Sequence, residues 1–230
     1  MFSYLFSDTA DLRPLVAVSA CLVGEPVRYD GGHKRHTRIA EQLAPLLELV
    51  TVCPEAGAGL GVPRPPVALR ERDGVLHALG RDNAELDVTP ALQAYAQRQV
   101  ARWRELPLAG HIFKSRSPSC GAGSTPVFNA QGDVMALDYG LYAAAVKASL
   151  PWLAIVEETA LADAQQLSRF VAHCRLVHEL LYRDDVNLLR AWHHYRPLTQ
   201  EAPRERLDAL AADNQRHAFV AQLLNALPGS

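Results

Sequence analysis

As far as Glu158, short apolar runs alternate with longer amphipathic stretches; beyond it only amphipathic stretches continue. The run LVAVSA (15–20) is short, continuous and β-branched, the pattern of a buried strand. A polar loop, GEPVRYDGGHKRH, follows, and residues 37–47 then place Ile39, Leu43, Leu46 and Leu47 at helical spacing, with Pro45 expected to end or distort the helix. A second strand is expected over 49–52. Residues 54–66, PEAGAGLGVPRPP, are too rich in Gly and Pro for regular structure, so a loop is expected there. VALRERDGVLHAL reads as a hairpin turning at Asp73-Gly74. Thr89 as N-cap with Pro90 after it opens a helix to about Leu106. The strand HIFKS, the loop RSPSCGAGS, a hairpin around 129–132, a helix near 141–149 and a strand over 152–156 complete this part. The remainder is helical: 162–181, 185–195 and one long helix over 204–227.

This layout predicts an α/β fold, an open, mostly parallel Rossmann-like sheet with helices on both faces, plus a C-terminal α-helical extension. The expected division is 1–158 for the α/β domain and 159–230 for the extension.

Composition narrows the function. With 49% hydrophobic and 21% charged residues the chain is ordinary globular material. Its 23 Lys and Arg against 25 Asp and Glu leave a formal charge of −2, which argues against nucleic acid or an anionic membrane as a general partner. Four cysteines are too few for a disulfide framework. MFSYLFSDTADLRP lacks the basic start of a secretory signal, and no apolar run is long enough to span a bilayer. A cytoplasmic location with reduced thiols is expected.

The chemistry gathers on three of those cysteines. Cys21, Cys53 and Cys120 each follow a candidate strand, and carboxyl ends of strands in an open α/β sheet converge on one crevice. No C-x-x-C pair occurs, so a zinc finger or ribbon is not indicated. Cys174 lies inside the amphipathic run FVAHCRLVHELL and reads as a packing residue. Glu55, in C-P-E, stands where a carboxylate can act as general acid or base beside a bound metal. Ser117 and Ser119 bracket Pro118 before Cys120, and Lys114 and Arg116 add positive charge there, which favours thiolate. Arg64, in the stiff P-R-P-P segment, suits recognition of a carboxylate, phosphate or carbonyl. Tyr29 and Asp30 lie on the loop after Cys21, at the expected mouth of the crevice, although Asp30 is equally well placed to shape a turn.

Taken together, VSACLVGEPVRYDGG, VCPE with GLGVPRPP, and FKSRSPSCG resemble the thiouracil desulfidase family from about Val16 to Glu158 or on to Leu176, some two thirds of the chain. The resemblance implies a 4Fe–4S cluster on Cys21, Cys53 and Cys120 with one iron open, and non-redox replacement of thiocarbonyl sulfur by oxygen. It casts Glu55 as the acid/base group and Ser117 as the assisting hydroxyl. Tyr29, Asp30, Arg64, Lys114 and Ser119 are then candidate substrate contacts. The implied substrate is a small thiolated pyrimidine (base, nucleoside or nucleotide), bound by a monomer or homodimer. Two alternatives stay open: a non-catalytic metal or sulfur store or sensor, and a desulfidase for thiolated tRNA.

Overall fold

The computed structural model describes residues 12–199 and 204–227; the first eleven residues of the stretch read as lacking a secretory signal lie outside the described residues. Along the chain the strands are β1 (Leu15–Ser19), β2 (Glu48–Val52), β3 (Val67–Arg72), β4 (Val75–Gly80), β5 (Leu108–Phe113), β6 (Ala122–Phe128), β7 (Val134–Tyr139) and β8 (Ala154–Glu157). The α-helices are α1 (Pro54–Gly57), α2 (Thr89–Arg104), α3 (Leu141–Ser149), α4 (Ala164–Tyr182), α5 (Leu188–Tyr195), α6 (Arg204–Ala212) and α7 (Arg216–Ala226).

β2, β1, β5 and β8 form a wholly parallel sheet in that order, and a second sheet runs β4-β3-β6-β7. The chain steps from β1 outward to β2, then returns across β1 to β5. The strand order therefore reverses between β1 and β5, and ligands in such sheets bind beyond the carboxyl ends at that point.

β1 is buried on both faces, which explains its unbroken apolar run. Val16 and Val18 pack with Phe170, Cys174 and Val177 of α4 and with Trp192, Phe219 and Leu223 of the following helices. Ala17 faces the other way, into a cluster with Tyr95, Trp103, Tyr142 and Val146 of α2 and α3. A third cluster seats Leu69, Ala78 and Val127 of the second sheet on Val88 and Leu92 at the start of α2. The expected α/β architecture with helices on both faces and a helical C-terminal region is what the chain adopts. Among the described residues no helix is long and apolar enough to cross a membrane.

Local expectations needed correction in five places. The helix expected over 37–47 is a short π-helical segment, Ile39–Leu43, closed by Ala44 N–H donating to Ile39 O at 3.0 Å. Pro45 lacks the N–H that would extend it. Thr89 is not the N-cap of α2: the helix starts at Thr89, whose Oγ1 accepts from Ala78 N at 2.8 Å while its own N–H donates to Asp87 Oδ1 at 2.8 Å. The Gly/Pro segment after Cys53 opens with one helical turn, α1, because Pro54 supplies the first-turn φ. The single helix expected over 204–227 is two, broken at Asn214, whose φ of 52° lies in the left-handed region that Asn tolerates better than most residues. The strand expected over HIFKS lies earlier, at Leu108–Phe113, where it pairs with β1 from Leu108 onward. The two hairpins are joined by a short parallel pairing of β3 with β6, Leu69 opposite Val127 and Arg70 opposite Phe128.

Candidate active site

Three strand ends build the site. Beyond β1 the chain tightens into a 3₁₀ turn over Ala20–Leu22 that carries Cys21. Beyond β2, Cys53 is the residue from which α1 starts. Beyond β5 the loop runs Lys114-Ser-Arg-Ser-Pro-Ser-Cys120 and feeds β6. All three cysteines line one cavity of about 340 Å³, together with Glu55, Ser117, Tyr29, Arg64 and Lys114. Asp30 and Ser119 are outside that lining.

Glu55 stands on the first turn of α1, over the cavity, and is tightly held. Its Oε2 accepts from Arg64 Nε and Nη2, each at 2.8 Å, and its Oε1 accepts from Ser119 Oγ at 2.9 Å. The Arg64 side chain is only 5% exposed and the Glu55 side chain 13%. Arg64 Nη1 donates to the carbonyls of Val27 and Gly61, both at 2.9 Å. Val27 O also accepts from the Cys53 thiol at 3.7 Å, so cysteine, arginine and carboxylate share one frame. The guanidinium and the Ser119 hydroxyl, expected to meet substrate, are thus engaged with Glu55.

The Cys120 loop is folded on itself. Ser117 Oγ accepts from Ser119 N at 3.3 Å and Cys120 N at 3.1 Å, which leaves its hydroxyl proton to donate toward the cavity. Thr125 Oγ1 and Gly121 N both donate to Ser117 O, at 2.9 and 2.8 Å. α3 rests its first turn on this loop: Leu141 N donates to Pro118 O and Tyr142 N to Ser119 O, at 3.0 and 3.1 Å. The approach demands glycine, because a Cβ on Gly140 would sit 2.5 Å from the Ser119 carbonyl carbon, and one on Gly121 would sit 1.9 Å from Thr125 Oγ1.

Lys114 spends its ammonium inward, on Ser115 O at 3.1 Å, Ser115 Oγ at 3.0 Å and the buried Glu158 carboxylate. Tyr29 is 39% exposed at the mouth, with the Arg28 guanidinium 5.2 Å above its ring. Asp30 faces solvent, ion-paired with Arg28 at 3.3 Å and accepting from Gly32 N at 3.0 Å, the bonding of a turn residue.

The thiols have a distinct electrostatic setting. Burial, and then the neighbouring Cys53, push the Cys21 thiol up to about 11, against the lowering effect of Lys114 and Arg28. Burial raises Cys53 as well. Burial holds Cys120 well above the usual thiol range, against a hydrogen bond from Ser19. Three such thiols ionise only when a strongly thiophilic partner displaces their protons. Among the described residues no three His, Cys, Asp or Glu side chains are drawn together tightly enough to hold a single metal ion. The three cysteines instead share the lining of one cavity of about 340 Å³. Cys174 is fully buried in the cluster under α4, away from these three.

Sequence reasoning did not single out Arg28, Lys34 or Arg81, which line the same cavity. With Arg64, Lys114 and Arg116 they surround it with six basic side chains against one acid, Glu55, in a chain whose net charge is −2. Arg28 and Lys34 flank the Y-D-G-G loop and were open to notice. Arg81 was not, because it belongs to none of the three motifs and arrives through the β3–β4 hairpin, where its N–H donates to Pro66 O at 2.8 Å.

Known proteins share much of this sequence and fold. The uncharacterized protein YbbK of Bacillus subtilis (strain 168) is 32% identical over 113 residues, 47% of this chain and 74% of its own. The solved structure of the [4Fe-4S]-dependent thiouracil desulfidase TudS is 29% identical and superposes with a TM-score of 0.53, covering 68% of this chain and 99% of that one. The model of the 2-thiouracil desulfurase family matches residues 16–158, which spans every strand of both sheets except the first residue of β1 and includes all three cavity cysteines. The chain belongs to the 2-thiouracil desulfurase family.

Proposed function

We propose that the chain is a desulfidase that replaces the sulfur of a thiolated pyrimidine by the oxygen of water, with Cys21, Cys53 and Cys120 as the ligands of a 4Fe–4S cluster. The observation that carries this reading is the convergence of three cysteines and one carboxylate, held by Arg64 and Ser119, on a single cavity at the strand-order reversal. The net reaction is thiocarbonyl plus water to carbonyl plus hydrogen sulfide, with no change of oxidation state. When bound, the cluster supplies an iron with an open position, a soft acceptor for the departing sulfur.

The chain's own residues supply the rest. Glu55 takes a proton from the attacking water, and Arg64 and Ser119 fix which carboxylate oxygen faces it. Ser117 directs its hydroxyl proton at a substrate heteroatom, since its oxygen already accepts from the loop amides. Tyr29 offers a ring face to the pyrimidine at the mouth. The basic rim of Arg28, Lys34, Arg81 and Arg116 supports an anionic substrate, and so the nucleotide over the free base. A metal or sulfur store needs cysteines but has no use for a carboxylate locked by an arginine and a serine beside them.

The test is sulfide release by anaerobically purified protein from 2-thiouracil and from 4-thiouridine monophosphate. Glu55→Ala is expected to retain iron and to lose about 100-fold or more in turnover. The nucleotide is expected to show the higher kcat/KM, with the advantage shrinking in high salt. Wild-type turnover by an iron-loaded Glu55→Ala variant would remove the acid/base role.

A further inference from the structure

The carboxyl end of β8 carries two consecutive acids, Glu157 and Glu158, and neither is accounted for by the chemistry above. They grip opposite ends of the Cys120 loop. At its start, Glu158 Oε2 accepts from Ser115 N at 2.6 Å, and Oε1 accepts from Ser115 Oγ at 2.8 Å and from the Lys114 ammonium. At its end, Glu157 Oε1 accepts from Ala122 N at 2.6 Å and Ser124 Oγ at 2.7 Å. Ser124 Oγ in turn accepts from Arg116 N at 2.8 Å, tying the two ends together. The grip is anchored in the sheet, since Glu158 N donates to Phe113 O at 3.1 Å where β5 gives way to the loop. Glu158 is 6% exposed, and this set of donors meets the hydrogen-bonding demand of a buried carboxylate.

We infer that Glu157 and Glu158 are positioning residues that shape the Lys114–Ser124 loop before any cofactor arrives, so that Cys120 and Ser117 are presented in register with Cys21 and Cys53. The bonds of Ser117, Thr125 and the first turn of α3 fix the middle of the loop and Cys120; its two flanks rest on these acids, with Lys114 N donating to Ser19 Oγ at 3.0 Å and Arg116 at a φ of 57°. Charge-assisted bonds to backbone amides hold such a segment better than neutral ones. The cluster-presenting role rests on the proposed cluster; the shaping of the loop does not.

The two acids differ in a way that makes the inference sharp. Glu157 receives both of its bonds on one oxygen, so the carbonyl of Gln reproduces them. Glu158 receives donors on both oxygens, so the NH₂ of Gln meets the Ser115 N–H in one orientation and the Lys114 ammonium in the other. The experiment measures iron per chain in anaerobically reconstituted protein and hydrogen exchange across 114–124 with and without iron. E157Q is expected to keep wild-type iron and protection, and E157A to lose both. E158Q is expected to exchange roughly 10-fold or more faster in this loop and to bind less than half the wild-type iron. Ser115→Ala, which removes one donor from Glu158 and leaves the carboxylate in place, is the second variant should E158Q not fold, with intermediate exchange expected. Wild-type protection in E158Q or in Ser115→Ala, or equal damage in E157Q and E157A, would overturn the inference. Wild-type protein that binds no iron while E158Q still loosens the loop would instead refute the cluster and leave the positioning role standing.

Discussion

Replacing Arg64 by methionine removes the guanidinium and keeps the aliphatic stem, which isolates the ion pair from its packing. Arg64 gives Glu55 two bonds at 2.8 Å in a setting where neither side chain is more than 13% exposed. Removing one partner of a buried pair costs about 3–5 kcal/mol, mostly because the other charge is left uncompensated. The carbonyls of Val27 and Gly61 also lose a donor, each worth about 1 kcal/mol, less where water enters from the cavity. A loss of about 4 kcal/mol is large against a typical total of 5–15 kcal/mol. Urea unfolding followed by circular dichroism reads it directly. The double variant Arg64→Met/Glu55→Gln leaves no buried charge and is expected to regain about 1–3 kcal/mol over the single variant. In the iron-loaded protein, a carboxylate displaced by even 1 Å is expected to cost about 100-fold in turnover. Arg64→Met that unfolds within 1 kcal/mol of wild type, or a double variant that is simply additive, would refute the idea that Arg64 exists to hold Glu55.

Other consequences concern the scaffold. His111 is fully buried against Phe113 and Tyr142, and burial pushes it down from 6.5 to about 3; burial, aided by Arg169, pushes His173 down to about 4. Below pH 6.5 the unfolded chain binds these protons and the folded chain does not, so stability is full above that pH and falls on acidification, by up to about 1.4 kcal/mol per unit for each histidine. His111→Gln is expected to flatten the slope between pH 6 and 4 by one such increment, measured by urea unfolding at several pH values; an unchanged slope would contradict it. Cys174 packs its sulfur where a side chain on Gly110 would lie, 2.6 Å from it, so Cys174→Ala is expected to cost about 1 kcal/mol and leave iron content unchanged; lost iron would return Cys174 to the ligand set. We also propose that the described helical residues, 159–199 and 204–227, fold with the core as one unit, because Phe170 and Val177 share a cluster with Val16 and Val18. Phe170→Ala is then expected to cost about 3–5 kcal/mol, and a chain ending at Glu158 to be insoluble; a monodisperse, iron-binding truncation would show the tail to be separable.

The sequence revealed most where local chemistry decides the outcome. β1 and β2 are short runs cut off at Ser and Cys, so their ends, and the cysteines that follow, could be placed without coordinates to within a residue; β5, expected over HIFKS, runs Leu108–Phe113 because its pairing with β1 begins at Leu108. Side-chain partners could not. The pairing of Arg64 with Glu55 depends on the P-R-P-P segment folding back over α1, and nothing in the spacing of the two residues encodes it. Similarly, the joining of two hairpins through Leu69 and Val127 is a contact between distant segments, while the hairpins themselves follow from turn residues. Glu157 and Glu158 read as a strand terminus; only the parallel register of β8 against β5, Glu157 beside Phe113, brings them under the Cys120 loop. The misplaced helix ends, at Thr89 and Asn214, are positions where a tertiary hydrogen bond or a left-handed residue overrode a sound local pattern.

One cluster held by the three strand-end cysteines, with a free iron position, underlies the proposed function. Its most direct test is iron and acid-labile sulfide per chain, with the visible spectrum, in anaerobically reconstituted wild-type, Cys21→Ala, Cys53→Ala, Cys120→Ala and Cys174→Ala proteins. Four irons and four sulfides with broad brown absorption are expected in wild type and in Cys174→Ala, and loss of most of both in each of the other three. Full cluster content in Cys53→Ala, or none in wild type, would contradict the account.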